Sequence, residues 1–479
     1  MLTPFGKTTA PGAASTMDDG SAVPSFALVI VWSASQMHRV GDVAFFPFGQ
    51  ELVVARGDDE TLAQFVRQRP GEISAFDPHE GFLTGNSISR RHLTVLATEE
   101  GLQIEHVGGC RTFVNGVERK SALLKPGDTV RFKGELVLLC VRRPRTLPGL
   151  RVLRVLQPYG EPDAAGIVGE SPQAWCMRDQ LATVAASDDH ALIGGESGTG
   201  KELAVKAVRQ QSPRANGPFV PHNASTFTTT LLASELFGNP VNYPNHGMLA
   251  RKGLVGEADR GILFLDEIGD CPLDAQTELL RFLDHGEYHG VGESKTKRAD
   301  VRVIGATNKE ESAFRADFLA RFRPHARVRL PPLRERREDI PLLIRHLLVQ
   351  SARKSPKIFG RFVEKGQDGR LHPRISGRLV DHLVRHPLLT NYRALEGLVL
   401  KAANASRGDV VRMLAEDAKT TTSPREETAK GSVPSKAELE SCLDRERGNV
   451  ARAARVLGLG RTAMYRLMQK HGVKKPRGE

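Results

Sequence analysis

Between residues 195 and 201 the chain reads Gly-Glu-Ser-Gly-Thr-Gly-Lys, and few heptapeptides restrict a fold more. The apolar segment Ala191-Leu192-Ile193 precedes it, and the helix-like stretch Glu202-Leu203-Ala204-Val205-Lys206-Ala207-Val208 follows. Strand, glycine loop and helix start together make a phosphate cradle. Gly195, Glu196, Ser197, Gly198, Thr199 and Gly200 turn successive backbone N–H groups inward on an anion, and the start of the helix at Lys201 and Glu202 adds its positive dipole end. Lys201 then reaches the β- and γ-phosphates of a nucleotide. A glycine-rich turn beside a surface lysine would share these letters without needing the strand before and the helix after.

A second segment narrows the chemistry. Gly261-Ile262-Leu263-Phe264-Leu265-Asp266-Glu267 is a continuous apolar run, as in a buried parallel strand, that ends in two carboxylates. Asp266 is placed to hold Mg²⁺, and Glu267 to polarise the water that attacks the γ-phosphate of ATP. The same pair could close a turn or cap a helix. Coupled to the glycine loop upstream, it favours hydrolysis over nucleotide storage.

With 479 residues the chain has room for about three domains. No apolar run reaches about 18 residues, and no charged-then-apolar leader opens the chain, so a soluble, cytoplasmic protein without a membrane partner is expected. The five cysteines, Cys110, Cys140, Cys176, Cys271 and Cys442, are scattered without metal-ligand spacing and are expected to be reduced, buried thiols. Lys and Arg number 68 against 56 Asp and Glu, a net charge of +12 that favours an anionic partner. Residues 436–479 alone carry eleven basic and five acidic residues, which places the nucleic-acid signal at the tail.

Residues 1–24, rich in Pro, Gly, Ser, Thr and Ala, read as disordered. From 25 to 143, short apolar alternations recur between turn signals: Ala27 to Val31, Glu51 to Ala55, Leu93 to Ala97, Leu102 to His106, Arg111 to Val114, Thr129 to Phe132 and Glu135 to Val141. That spacing predicts an all-β sandwich or barrel, with Asn115-Gly116 as a hairpin turn. In Val54-Ala55-Arg56, Ser89-Arg90-Arg91-His92, Thr112-Phe113-Val114-Asn115-Gly116 and Pro126-Gly127-Asp128 the segment resembles a forkhead-associated domain, a reader of phosphothreonine peptides. The resemblance implies that Arg56 and Ser89 contact the phosphate, that Arg90 adds charge, and that His92 is structural; the partner would be a phosphothreonine protein or a kinase. Where the family has a Thr-Asn pair this chain has Gly109 and Cys110, and Ala55 replaces a glycine.

After a linker at 144–165, residues 166–407 alternate strands and helices as a parallel α/β fold does. Gly166 to Pro172, the glycine loop, Ser234-Glu-Leu-Phe-Gly238, Gly261 to Glu267, Val301 to Asn308 and Leu330 to Ile340 occur in the order found in the AAA+ domain of sigma-54-dependent transcription activators, which this region resembles. The resemblance implies an ATPase ring, commonly a hexamer, with a helical lid. It makes Asn308 a γ-phosphate sensor, Arg315 and Arg321 fingers inserted into a neighbouring subunit's site, Asn223 a partner of the catalytic Glu267, and Arg393 the lid arginine on the nucleotide. Glu202, where many such loops have Ser or Thr, leaves Mg²⁺ to Asp266 and water. His386 to Glu396 is a lid motif with two residues inserted.

A second linker, 408–435, leads to residues 436–479, where helices from Leu439, Asn449 and Arg461 with the turn Gly458-Leu459-Gly460 predict an all-α helix-turn-helix. It resembles the Fis-type DNA-binding domain. Arg461, Thr462, Tyr465 and Arg466 would face the DNA, with Lys474, Lys475 and Arg477 on its backbone. The chain thus reads as a multidomain DNA-binding ATPase regulator. Its six residues Asn242-Tyr243-Pro244-Asn245-His246-Gly247 stand where sigma-54 activators carry Gly-Ala-Phe-Thr-Gly-Ala, which puts the sigma-54 polymerase partner in question. Two other readings remain: an AAA+ regulator with another partner, such as a repressor, or a phosphopeptide scaffold with a silent ATP site.

Overall fold

The computed structural model describes residues 24–413 except 58, 60, 72–80, 153–156, 228–231, 244, 245 and 248, together with Leu439, Leu443, Val450, Met464, Met468 and Val473. The expectations for residues 1–23 and for most of the tail lie outside the described residues. The chain divides into two compact units, Met1–Ala418 and Lys419–Glu479.

The first unit begins with a two-sheet sandwich. Its strands are β1 (Ser25–Ser33), β2 (Val43–Phe45), β3 (Glu51–Val54), β4 (Leu93–Ala97), β5 (Leu102–His106), β6 (Thr112–Val114), β7 (Val117–Glu118), β8 (Ser121–Leu124), β9 (Thr129–Phe132) and β10 (Leu136–Arg143). One sheet has the order β2-β1-β10-β9-β6-β7, the other β3-β4-β5-β8. Leu28, Ile30, Leu93, Val95, Phe132 and Leu138 meet between them. The seven expected strands are present; β2, β7 and β8, with two to four residues each, are too short for alternation to announce them. Asn115, at φ +50°, and Gly116, at φ +83°, join β6 to β7 as the two-residue hairpin the dipeptide calls for.

The second part is a parallel sheet flanked by helices. α1 (Pro172–Ala186), β11 (Ala191–Gly194), α2 (Lys201–Gln211), β12 (Phe219–Asn223), α3 (Leu232–Phe237), α4 (Leu254–Glu257), β13 (Ile262–Asp266) and α5 (Leu273–His285) come first. The small ribbon β14 (Glu287–Tyr288) and β15 (Lys297–Arg298), then β16 (Arg302–Thr307), α6 (Ala316–Ala320) and β17 (Arg327–Arg329), complete it. The sheet order is β12-β13-β16-β11-β17, so the strand feeding the glycine loop sits beside those ending in Thr307 and, one further, Asp266. Apolar clusters cover both faces, which is why β13 reads as an unbroken hydrophobic run up to Asp266 and β16 is apolar from Val303 to Ala306.

A lid follows: α7 (Ile340–Lys354), α8 (Pro356–Phe359), the hairpin β18 (Val363–Lys365) and β19 (Leu371–Pro373), α9 (Gly377–Arg385) and α10 (Tyr392–Ala405). The ordered lid runs past the expected end at 407, since Val411 is buried and bridges Ile375. The sandwich packs on this lid. Leu136, Leu138 and Cys140 of β10 point into the sandwich core, while Val137 and Leu139 share a core with Ile340, Leu343, Leu379 and Leu383. Trp32 donates its indole N–H to the Ile375 carbonyl at 2.9 Å, and a Cβ at Gly377 would lie 2.7 Å from the Trp32 ring.

The described part of the linker at 144–165 is packed down: Leu147 and Tyr159 are buried, and Arg67 lies 4.2 Å over the Tyr159 ring. Among the described cysteines, Cys140 and Cys271 are buried as expected, but Cys110 is half-buried and Cys176 exposed on α1. No described helix is long and apolar enough to cross a membrane. In the second unit Leu439, Leu443, Val450, Met464, Met468 and Val473 form a small buried core.

Leu138 is fully buried where the sheets meet, whereas Val117 is 44% exposed. Leu138→Ala is expected to destabilise the chain by about 2–5 kcal/mol and Val117→Ala by less than about 0.5 kcal/mol, measured by denaturant unfolding.

Candidate nucleotide and phosphopeptide sites

The glycine loop closes over a cavity of about 960 Å³ lined by Lys201, Glu202, Asp266, Glu267, Asn308 and Arg393, a volume within the usual range for a nucleotide-sized ligand. Gly198 (φ +77°) and Gly200 (φ +99°) supply the left-handed backbone, and a Cβ on Gly198 would lie 2.3 Å from the Thr390 carbonyl oxygen. Lys201 Nζ donates to the Gly195 carbonyl at 2.9 Å. Burial holds its pKa below the usual lysine value, and the nearby Asp266 and Glu267 oppose that shift.

β13 delivers Asp266 to the cavity rim, and Asp266 Oδ1 accepts the Glu267 N–H at 2.9 Å. Glu267 sits at φ +51°, ψ +37°, a left-handed conformation that costs a non-glycine residue on the order of 1 kcal/mol or more and that recurs at functional sites. Among the described residues no group of three or more His, Cys, Asp or Glu gathers into a metal cage. One carboxylate beside a phosphate cradle nevertheless fits Mg²⁺, which is commonly held by one or two carboxylates, substrate phosphates and water.

The other expected residues fall into two sets. Asn308, directly after β16, and Arg393, on α10, reach the cavity; Arg393 donates to Ser197 Oγ at 3.0 Å. Asn223 is the register partner of Asp266 across β12 and β13, but its amide oxygen accepts Ser225 N at 3.0 Å and Ser225 Oγ at 2.8 Å, and no hydrogen bond to Glu267 forms among the described residues. Arg315 and Arg321 flank the short α6 and do not line this cavity. Arg315 pairs with Asp317 at 2.8 Å, and Arg321 donates to Asp284 at 2.9 Å.

Sequence reasoning missed a latch between lid and glycine loop. Asn391, buried at φ +52°, donates to Glu196 Oε2 at 3.1 Å and to the Ser197 carbonyl at 3.0 Å, and accepts the Leu333 N–H at 2.8 Å. The Tyr392 N–H donates to the Gly198 carbonyl at 3.2 Å. Arg334 pairs with Glu196 at 2.6 Å, and this bond, with that of Asn391, holds the Glu196 carboxyl below its usual pKa.

On the sandwich, Arg56 and Ser89 come together: Arg56 N–H donates to the Ser89 carbonyl at 3.2 Å, and the Gly109 N–H to Ser89 Oγ at 3.1 Å. Arg90 is exposed beside them. The Arg56–Ser89 contact joins the two backbones, while the Arg56 guanidinium donates to Asn86 Oδ1 at 3.0 Å; a guanidinium and a hydroxyl are the kinds of group that bind a phosphate. His92 is fully buried between Ser89 N and Thr112 Oγ1, each at 3.4 Å. In the loop between α3 and α4, buried Asn239 donates to the carbonyls of Pro240, Tyr243 and Leu249, and Asn242 Oδ1 accepts the Gly247 N–H at 2.8 Å. Pro244 and Asn245 lie outside the described residues, as do Arg461, Thr462, Tyr465, Arg466, Lys474, Lys475 and Arg477 of the tail.

Three family models match the chain: the sigma-54 interaction domain over residues 167–327, the Fis family of bacterial regulatory proteins over 435–471, and the FHA domain over 77–133. Among curated relatives, the DNA-binding transcriptional regulator NtrC of Klebsiella pneumoniae is 44% identical over 202 residues, 41% of this chain and 43% of the relative. The Nif-specific regulatory protein of Bradyrhizobium diazoefficiens is 40% identical over 250 residues, 51% of this chain and 40% of the relative. The chain spans less than half the length of either. A solved structure of NtrX from Brucella abortus in complex with ATP aligns at 31% identity and a TM-score of 0.44, over 64% of this chain and 69% of that one.

Burial, and secondarily the nearby His106, pushes the His92 pKa down to about 4. Its ring is therefore neutral in the fold, while the unfolded chain takes up a proton below about pH 6.5. Stability is full above about 6.5 and falls as pH drops towards 4, by up to on the order of 3 kcal/mol. His92→Gln is expected to flatten that fall in melting curves recorded between pH 7 and 4.5.

Proposed function

We propose, for a chain whose residues 167–327 belong to the sigma-54 interaction domain family, that it is an ATP-hydrolysing, DNA-binding transcriptional regulator. The observation that carries the reading is the single cavity holding Lys201, Asp266, Glu267, Asn308 and Arg393. The glycine-loop N–H groups and Lys201 bind the phosphates, and Arg393 ties the lid to the loop at Ser197. Asp266 would hold Mg²⁺, which would supply charge neutralisation to the phosphates. Glu267 orients the attacking water and takes its proton, while Asn308 senses the γ-phosphate. Arg315 and Arg321, turned away from their own cavity, serve a neighbour's in a ring, a hexamer by family resemblance.

The tail, matched to the Fis family, binds DNA through Arg461, Thr462, Tyr465 and Arg466, and the sandwich reads a phosphothreonine peptide through Arg56, Ser89 and Arg90. The cytoplasm is the compartment such a regulator needs. What the ring acts on is a separate question. The loop Asn242 to Gly247 has Pro244 and Asn245 where the family's loop has Phe and Thr, with Tyr243 as a shifted aromatic, so we propose weak or no engagement of sigma-54 polymerase, with regulation through DNA looping, repression or another partner.

Two measurements test this. Lys201→Ala is expected to lose ATP binding, whereas Glu267→Gln binds ATP and slows turnover by about 10²–10⁴-fold; equal ATP affinity in Lys201→Ala and the parent would refute the site. Open-complex formation by purified sigma-54 polymerase on a promoter the chain binds is expected to stay at background with ATP, and robust ATP-dependent melting would return the chain to the ordinary activators.

A further inference from the structure

Arg143 ends β10 and is only 4% exposed, yet it belongs to the sandwich and not to the ATPase core. Its Nη1 donates to Glu338 Oε2 at 2.6 Å, and Arg143 is the charge partner of that buried carboxylate among the described residues. Glu338 is the middle residue of a 3-10 turn, Arg337–Asp339, whose neighbours reach both walls of the nucleotide cavity. Before the turn, buried Arg336 donates to the Thr199 carbonyl in the glycine loop at 3.4 Å. After Glu338, Asp339 accepts Glu170 N at 2.7 Å, Ser171 N at 2.9 Å and Ser171 Oγ at 2.6 Å. Those contacts fix the start of α1 directly behind Gly166, Ile167 and Val168, which line the cavity opposite the loop. The fit is close: a Cβ at Gly169 would lie 2.7 Å from Asp339 Oδ2.

We propose that Arg143 is a positioning residue of the nucleotide site, acting through Glu338 to set the turn from which Arg336 holds the glycine loop and Asp339 holds the facing wall. The inference rests on the reading of this cavity as an ATP site. A buried carboxylate that loses its cation must move towards water or take up a proton. Either response displaces a three-residue turn that has no slack, because Arg336 before it and Asp339 at its end are both buried and bonded. The sandwich is then a working part of the ATPase, and a phosphopeptide held at Arg56 and Ser89 would sit on the same sandwich as the residue that tunes ATP affinity.

The alternative is that Arg143 and Glu338 only glue two domains together, and the test separates the two. In the full chain, Arg143→Met is expected to raise the Kd of a fluorescent non-hydrolysable ATP analogue, and the KM for ATP, by roughly tenfold, with kcat changed far less; Arg143→Lys restores most of the affinity. Trp32→Leu, at the same interface but distant in sequence from the turn, is expected to lower the melting temperature and leave ATP affinity within twofold. Should Arg143→Met fail to fold, Arg143→Gln, which leaves Glu338 without its cation but still able to accept a hydrogen bond, is expected to fold and to lose affinity in the same direction by a smaller factor. ATP affinity unchanged in the folded variant, or lost equally in Trp32→Leu, would overturn the proposal. If the parent chain and Lys201→Ala bind the analogue alike, the ATP reading itself has failed and not this inference.

Discussion

The structure depends on a strand that is buried on both faces. Antiparallel sandwiches commonly leave one sheet face to solvent, and their strands then alternate apolar with polar. β10 does not alternate: Leu136, Leu138 and Cys140 fill the sandwich, while Val137 and Leu139 complete a core that the lid helices could not close by themselves. Remove either partner and a broad apolar surface meets water, at a cost of about 25 cal/mol for each Å² exposed. Sandwich and lid are in this sense one folding problem, and polar contacts such as Trp32 to Ile375 and Thr129 to Asp381, the latter at 2.5 Å, fix its register.

The same economy governs the cavity at the glycine loop, where loop and lid meet through backbone features and not through bulk. Gly198 is glycine because the lid's Thr390 carbonyl occupies the place of a side chain. Glu267 tolerates a left-handed backbone because β13 and its own hydrogen bond to Asp266 leave it little choice. Strain of that size persists only when the surroundings over-determine it, and it aims the carboxylate without recruiting a further side chain.

Much of this was legible in the letters. The glycine loop, the Asp266-Glu267 strand end and the Asn115-Gly116 turn are local signals, because each needs its residue types for a backbone or chemical reason that travels with the sequence. What stayed hidden was tertiary. Nothing within residues 136–143 says which domain covers Val137 and Leu139, although the unbroken apolar run did say that something must. The latch through Asn391 and the link through Glu338 were invisible for the same reason: each joins residues more than a hundred positions apart, and a lone Asn or Glu carries no signature of its partner. Pro and Gly in the linker mark irregular backbone, and they do not say that this backbone is docked through Leu147 and Tyr159.

Arg315 and Arg321 carry one more consequence. Each already holds a carboxylate of its own chain, Asp317 and Asp284, and all four side chains are substantially exposed. Exposed pairs of this kind contribute about 0–1 kcal/mol. For two arginines proposed to leave one surface and enter a neighbour's phosphate site, these carboxylates act as a shallow resting berth: deep enough to keep the guanidinium groups extended and ordered, shallow enough that a phosphate, with more charge and a drier setting, draws them off. A ring built on such residues would assemble and release with little to undo in the single chain, and its switching would be set by the nucleotide and not by the strength of the resting pairs.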